Sequence, residues 1–160
     1  MIQRIVLIAV LALAALAGAM PGQAQNRKPT AAEIKLIRDC AEAHREDGEG
    51  EQKCAFNLVA DPCGEKNDSN LGRADCFRIE TVIWDALLND NYKELMDAID
   101  DKNDQDKLKE MQRAWIAYRD TTCNFYWYKI HGSMSVPMTA ACQLRETARR
   151  ALLLAFFVRL

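Results

Sequence analysis

Histidine, proline and glycine are scarce in this chain: two, four and seven in 160 residues. The two histidines, His44 and His131, stand far apart, and no HExxH, GxSxG or glycine-rich phosphate loop occurs. The common signatures of zinc hydrolases, serine hydrolases and nucleotide-binding loops are therefore missing. An excess of charge is missing too. Twenty-one Lys and Arg face 23 Asp and Glu, a formal net charge of −2, which gives no electrostatic basis for nucleic acid or an anionic membrane as partner. Period-two alternation is absent over any useful length, and with it the signal for half-buried strands. There is no internal repeat and no Pro- or Ser-rich linker of domain-separating length.

One long apolar run is present, at the start. Arg4 precedes Ile5–Ala19, 15 residues without a charge, and the small residues Gly22 and Ala24 follow. The pattern predicts a secretory signal over residues 1–24, cut after Ala24. Its apolar core falls short of the ~20 residues that a spanning helix needs, and no cysteine follows closely to carry a lipid. The expectation is export to the periplasm or beyond, with no stable membrane anchor after cleavage. What remains, Gln25–Leu160, is 136 residues, enough for one modest core.

All six cysteines lie in that part: Cys40, Cys54, Cys63, Cys76, Cys123 and Cys142. An even count in a small exported domain reads as a disulfide framework. No CxxC pair occurs and only two histidines could assist, so a structural zinc site is disfavoured. Six cysteines allow 15 pairings, which sequence does not separate. Local closure is the simplest: Cys40–Cys54, Cys63–Cys76 and Cys123–Cys142. Each such loop contributes roughly 3 kcal/mol in the chain-entropy account.

Between the cysteines the chain reads as helical. Thr30 with Glu33 three residues on forms a capping-box pattern, followed by apolar Ile34, Ile37, Ala41 and His44. A short second helix is expected to carry Cys54, Phe56 and Leu58, ending at Asp61-Pro62. GEKNDSNLGRAD reads as a polar loop. A long helix is expected from about Asp75 to Ile99, its stripe running Trp84, Leu88, Asn91, Leu95 and Ile99. A second is expected from about Gln105 to Lys129, where Leu108, Met111, Trp115, Tyr118 and Thr122 step by 3, 4, 3 and 4. A last helix opens near Pro137 and ends in ALLLAFFV, read as buried. The fold class is all-α: a small disulfide-stapled bundle of three main helices plus a short N-terminal helical pair.

On this reading Trp115 and Tyr118 pack in the core, Arg119 pairs with Asp85 across a helix interface, and Gln112 and Asn89 bond across it too. Glu80 and Asp85 do not form a hydrolytic pair, because five residues put them ~140° apart around a helix; they read as a solvated face. The segment Lys129–Pro137 contains His131, Gly132, Ser133, Met134 and Ser135. A Cys123–Cys142 bridge would tie it at the base, making it either a plain connector or a loop that presents binding residues.

Several motifs then fall in order: Cys63-x12-Cys76, Glu80-x3-Trp84-Asp85-x2-Leu88-Asn89-x2-Tyr92, Gln112-x2-Trp115-x2-Tyr118-Arg119-x3-Cys123, a Gly-Ser loop, and Cys142-x4-Thr147-x-Arg149. Together they resemble the LprI-type lysozyme inhibitor domain over roughly residues 60 to 155. The resemblance implies an exported, helical, cysteine-containing bacterial protein, some of whose relatives bind and inhibit lysozyme. It implies framework roles for Trp84, Asp85, Asn89, Tyr92, Gln112, Trp115 and Arg119. The organisation expected is a signal (1–24), an N-terminal helical extension with Cys40 and Cys54 (25–60) and an LprI-like domain (61–160). The function expected is binding, not catalysis: inhibition of a lysozyme-type muramidase by steric blockade, with no cofactor and no metal. The acidic segments Asp97–Asp106 and Glu46–Glu51 and the 130–136 loop are candidate contacts, since lysozymes are typically basic. The alternative is a periplasmic adaptor for another envelope protein; an enzyme acting on cell-wall glycans ranks below both.

Overall fold

A computed structural model describes residues 27–46, 49–55 and 57–160; the signal expected over 1–24, and Phe56, lie outside the described residues. Six helices and no strands are found among the described residues: α1 (Ala31–Ala43), α2 (Gly50–Cys54), α3 (Ala60–Gly64), α4 (Asn70–Ala98), α5 (Lys102–Ile130) and α6 (Ser135–Phe157). The all-α bundle of three long helices with a short N-terminal pair is therefore the fold, with α3 as an added turn beside α4.

The helix starts follow from local chemistry. Thr30 Oγ1 accepts the Glu33 amide at 3.3 Å while the Thr30 amide donates to the Glu33 carboxylate at 2.7 Å, completing the capping box. Arg27 donates twice to the same carboxylate, which with the Thr30 bonds holds Glu33 down to about 2. Ser69 caps α4 through the Gly72 amide, so α4 begins inside the stretch read as a polar loop. Asp101 caps α5 through the amides of Asn103 and Asp104. The charged run after Ile99 thus supplies two turn residues, Asp100 and Asp101, and the start of α5, and Gln105 reaches back to the Ile99 carbonyl at 2.8 Å. The last helix starts at Ser135, with Pro137 in its first turn, where a missing N–H costs nothing.

The α4–α5 turn reverses the chain and the α5–α6 corner reverses it again, so α4 and α6 run parallel. Asn70 near the start of α4 donates to Ser133 just before α6, and Asn91 donates to the Ala151 carbonyl further along both. Their interface is the core. Trp84 is fully buried among Ile79, Ile83 and Leu88 of α4 and Leu144, Ala148, Ala151 and Leu154 of α6, with Ile37 and Val59 added from the N-terminal side. The ALLLAFFV end is buried only in part. Ala151 and Leu154 face α4, whereas Leu153 and Phe156 are exposed, because α6 has neighbours on one side only there.

Three disulfides each join consecutive helices: Cys40–Cys54 (α1–α2), Cys63–Cys76 (α3–α4) and Cys123–Cys142 (α5–α6), with Cα separations of 5.7, 5.6 and 5.4 Å. The N-terminal pair is otherwise pinned by ion pairs: Arg38 to Asp90 at 2.7 Å, and Glu51 to Arg149 at 2.5 Å. Surface pairs of this kind contribute about 0–1 kcal/mol each. The disulfide and buried Ile37 and Cys54 hold the pair more firmly.

Candidate partner-binding corner

The corner between α5 and α6 brings the expected loop residues to one exposed place. His131, Gly132, Ser133 and Met134 are all exposed, Met134 by 51%. Ser135 departs from them: it is fully buried, and its hydroxyl donates to the Gly132 carbonyl at 2.7 Å. The loop is pinned from below by that bond, by Asn70 on Ser133 at 3.0 Å, and by the Cys123–Cys142 bridge under buried Thr139. Its chain direction is set by two positive φ values, 56° at His131 and 68° at Gly132. Gly132 takes this without a Cβ penalty, whereas His131 (ψ 162°) occupies a region that side chains avoid. Either side of the turn, Trp127, Ile130 and Met138 are exposed as well, Trp127 by 47%. The corner thus sets Trp127, Met134 and Met138 in water around a turn that is pinned at its base.

The framework motif residues divide between core and surface. Trp84 is buried, Tyr92 half-buried, and Asp85 and Asn89 are exposed, bonded to each other at 3.2 Å along α4. Arg119 does not meet Asp85. It pairs with its own neighbour Asp120 at 2.9 Å and lies 4.9 Å over the Trp115 ring. The reason is position: α5 packs chiefly on α6, which leaves Asp85 on another side of the bundle. Asn89 and Gln112 do not bond to each other either. Gln112 instead accepts from Arg150 Nε at 2.9 Å, and the Arg150 guanidinium stacks 5.6 Å from Trp115 on the side away from water. Burial lowers the Arg150 pKa below its ordinary value, and Nη2 has no hydrogen-bond partner among the described residues. This Gln112–Arg150–Trp115–Arg119 group joins α5 to α6. Arg150 has a sequence signal, since it shares the α6 stripe of Thr147 and Leu154, three before and four after.

Tyr118, expected in the core with Trp115, is 53% exposed. Only Leu108 and Cys123 of α5 are buried, while Met111 and Trp115 are partly covered by the core. The helix has a neighbour on one side only, so the half of the stripe beyond Trp115 turns to solvent. Glu80 departs in the opposite sense. It is fully buried, and its Oε2 accepts the Val59 and Ala60 amides, both at 2.8 Å. It supplies the acceptor that the start of α3 lacks in its own sequence. Burial raises the Glu80 pKa, opposed by the two amides; the Trp84 indole lies near enough to lower it but outside hydrogen-bond geometry. With Asp85 exposed and Glu80 sealed, the two acids share no cleft.

Cys40, His44 and Cys54 bring three metal-ligating atoms within 4.8 Å. Both sulfurs are consumed in one disulfide, so the thiolates that zinc would require are not there. A groove of about 650 Å³ lies between α1 and α4, floored by Ile34, Ile79 and Val82. Its rim arginines Arg27, Arg38 and Arg78 are each committed to a carboxylate: Glu33, Asp90 and Asp75. No helix among the described residues is long and apolar enough to cross a membrane.

The family model described as lysozyme inhibitor LprI matches residues 63–154. This chain belongs to the LprI lysozyme inhibitor family. The match begins at the first cysteine of the α3–α4 bridge and runs to Leu154 in α6, so it takes in both LprI-domain disulfides, the buried Glu80 and the α5–α6 corner. The α1–α2 pair lies before it. The family is described by inhibition of lysozyme, not by a reaction. No curated protein and no solved structure matches the chain significantly.

Proposed function

We propose that the protein is exported, loses residues 1–24, and acts as a steric inhibitor of a lysozyme-type muramidase through its α5–α6 corner. The domain 61–160 carries the activity on this reading, and 25–60 is a stapled extension that braces α4 and α6. The observation that carries the choice of surface is the exposure of Trp127, Met134 and Met138 on a corner pinned by Asn70 and Ser135, whereas the acidic segments are in part neutralised from within. Asp97 pairs with Lys93, Asp106 with both Lys102 and Lys109, and Glu51 with Arg149. Asp100, Asp101 and Asp104 have no ion pair among the described residues, so the field at a basic partner is reduced rather than removed. The corner offers instead a rigid protrusion with large apolar side chains, which suits insertion into a concave cleft and places binding energy in a few residues. No cofactor and no catalytic residue takes part.

The test is muramidase activity on a cell-wall suspension with the oxidised mature protein, against c-type and other lysozymes. Inhibition is expected, with Met134→Ala and Trp127→Ala each raising the inhibition constant by about 10-fold or more, the range of interface hot spots. Unaltered inhibition in both variants would exclude the corner. No binding to any lysozyme, with selective recovery of another envelope protein, would replace the inhibitor reading by that of an adaptor.

A further inference from the structure

The solvent side of α5 carries a second apolar stripe that is left exposed among the described residues. Ala114, Tyr118, Thr121, Phe125 and Tyr128 step by 4, 3, 4 and 3, the a/d spacing of a coiled-coil seam. All five are exposed, Tyr118 by 53%, Phe125 by 61% and Tyr128 by 73%. The stripe lies opposite buried Cys123 on the helix, and no charged side chain falls on it. A lone amphipathic helix needs one apolar face, and α5 already has one in Leu108, Met111 and Trp115 toward α6. Among the described residues nothing covers the second face.

We infer that this stripe is the interface of a homodimer, in which α5 packs antiparallel on α5 of a second copy. The stripe is complementary to itself in that arrangement. A two-fold axis level with residues 119–120 sets Ala114 against Phe125 and Thr121 against Tyr118 of the second copy. Every large residue in the central layers then meets a small one, each pair occurring twice. The ends agree in charge. Glu110, which also pairs with Lys107 on its own helix at 3.0 Å, comes level with Lys129 of the second copy, a basic residue in the last turn of α5. Parallel packing would instead set Tyr118, Phe125 and Tyr128 each against itself and bring no opposite charges level.

The size also fits a second copy. At about 200 Å² per aromatic side chain, the three aromatics leave about 370 Å² in water per protomer, close to half of the ~800 Å² per partner of a standard interface. Ala114, Ala117, Thr121 and Asn124 extend the strip. An interface at the small end of the range belongs with weak, transient associations, and a dissociation constant in the micromolar region is expected. The seam and the α5–α6 corner are separate surfaces: Trp127 and Tyr128 point about 100° apart around the helix. The dimer therefore does not rest on the inhibitor reading.

Sedimentation of the oxidised mature protein from about 5 to 200 µM tests it, a range chosen around that expected affinity. The wild type is expected to pass from monomer to dimer. Phe125→Glu is expected to stay monomeric throughout with an unchanged melting curve, since Phe125 is exposed. Glu110→Lys, which sets like charges level at both ends, is expected to weaken the dimer about 10-fold. A wild type that remains monomeric at the top concentration, or a dimer indifferent to Phe125→Glu, would overturn the proposal. Loss of the dimer in Phe125→Glu without any effect of Glu110→Lys would overturn the antiparallel register. A monomeric wild type whose lysozyme binding is lost in Phe125→Glu would assign the stripe to the enzyme and likewise remove the dimer.

Discussion

Helices α5 and α6 are joined by one disulfide and one short corner, yet they are used in opposite ways. α6 buries twelve of its 23 residues, α5 two of its 29. α6 lies between α4 and α5 and is lined with Ala140, Ala148 and Ala151, which allow close approach, and with Leu144 and Leu154, which fill the space beside Trp84. α5 leans on α6 along one line and otherwise meets water. One helix carries the stability, and the other presents a surface that the fold does not need. The same separation recurs at the N-terminus, where α1 buries only Ile37 but is bound through Cys40 to buried Cys54.

The largest effect expected is from reduction. Three loops of 13 to 19 residues, at roughly 3 kcal/mol each, amount to most of the stability of a domain this size. Reductant is expected to abolish the cooperative thermal transition seen by circular dichroism; a melting curve that keeps its midpoint would show that helix packing suffices. Next comes a direct comparison of the two helices. Leu144→Ala in α6 is expected to cost about 2–5 kcal/mol in denaturant unfolding. Phe125→Ala on the outside of α5 is expected to stay within about 0.5 kcal/mol. Similar costs would erase the distinction between a structural and a presented helix.

Glu80 gives a smaller, pH-dependent effect. Its pKa is raised by burial in the folded state, so the native protein binds its proton more tightly than the unfolded chain does. Glu80 then favours folding in acid, and that contribution is lost as pH rises from the unfolded value through the folded one. Glu80→Gln keeps an acceptor without the charge. The stability of Glu80→Gln relative to wild type is therefore expected to rise from pH 4 to neutrality; a difference independent of pH would refute a charge effect. Glu33 has the opposite sign: held down to about 2 by Arg27, it stabilises above about 4.5 and loses this in acid, equally in both proteins. A modest change of the opposite sign is expected from His131→Gly. Relief of the positive φ at the corner is expected to add about 1 kcal/mol, and a loss instead would show that the imidazole is held by contacts worth more than the strain.

The helical class, the capping box at Thr30 and the core stripe of Trp84, Leu88 and Leu95 were legible because each rests on local pattern. The helix starts at Ser69 and Asp101 were less so. In both, polar and charged residues that favour turns also cap helices, and only the continuing chain decides between the two. Glu80 stands four residues after Cys76 and four before Trp84, on the buried stripe itself. Its acidity obscured a place that its spacing gave away. On α5 the steps of 3 and 4 correctly marked Leu108, Met111 and Trp115, but Tyr118 belongs equally to the outer series through Thr121 and Phe125. Periodicity measures that a face is apolar, not whether the same chain supplies something to cover it. The corner could be placed between two helices by sequence, whereas its exposure and its hydrogen bonds to Asn70 and Ser135 depend on contacts more than sixty residues apart in one case.

The bridges follow one another along the chain, first cysteine to second, third to fourth, fifth to sixth, with none nested and none crossing. A polypeptide threading N-terminus first into an oxidising space would therefore expose each thiol pair in its native order. An oxidase that joins cysteines as they emerge produces the correct set at once, and no shuffling step is called for. If the chain is exported as proposed, every bridge can close before the next pair arrives, and the stapled N-terminal unit is then cross-linked before α4 and α6 dock against it.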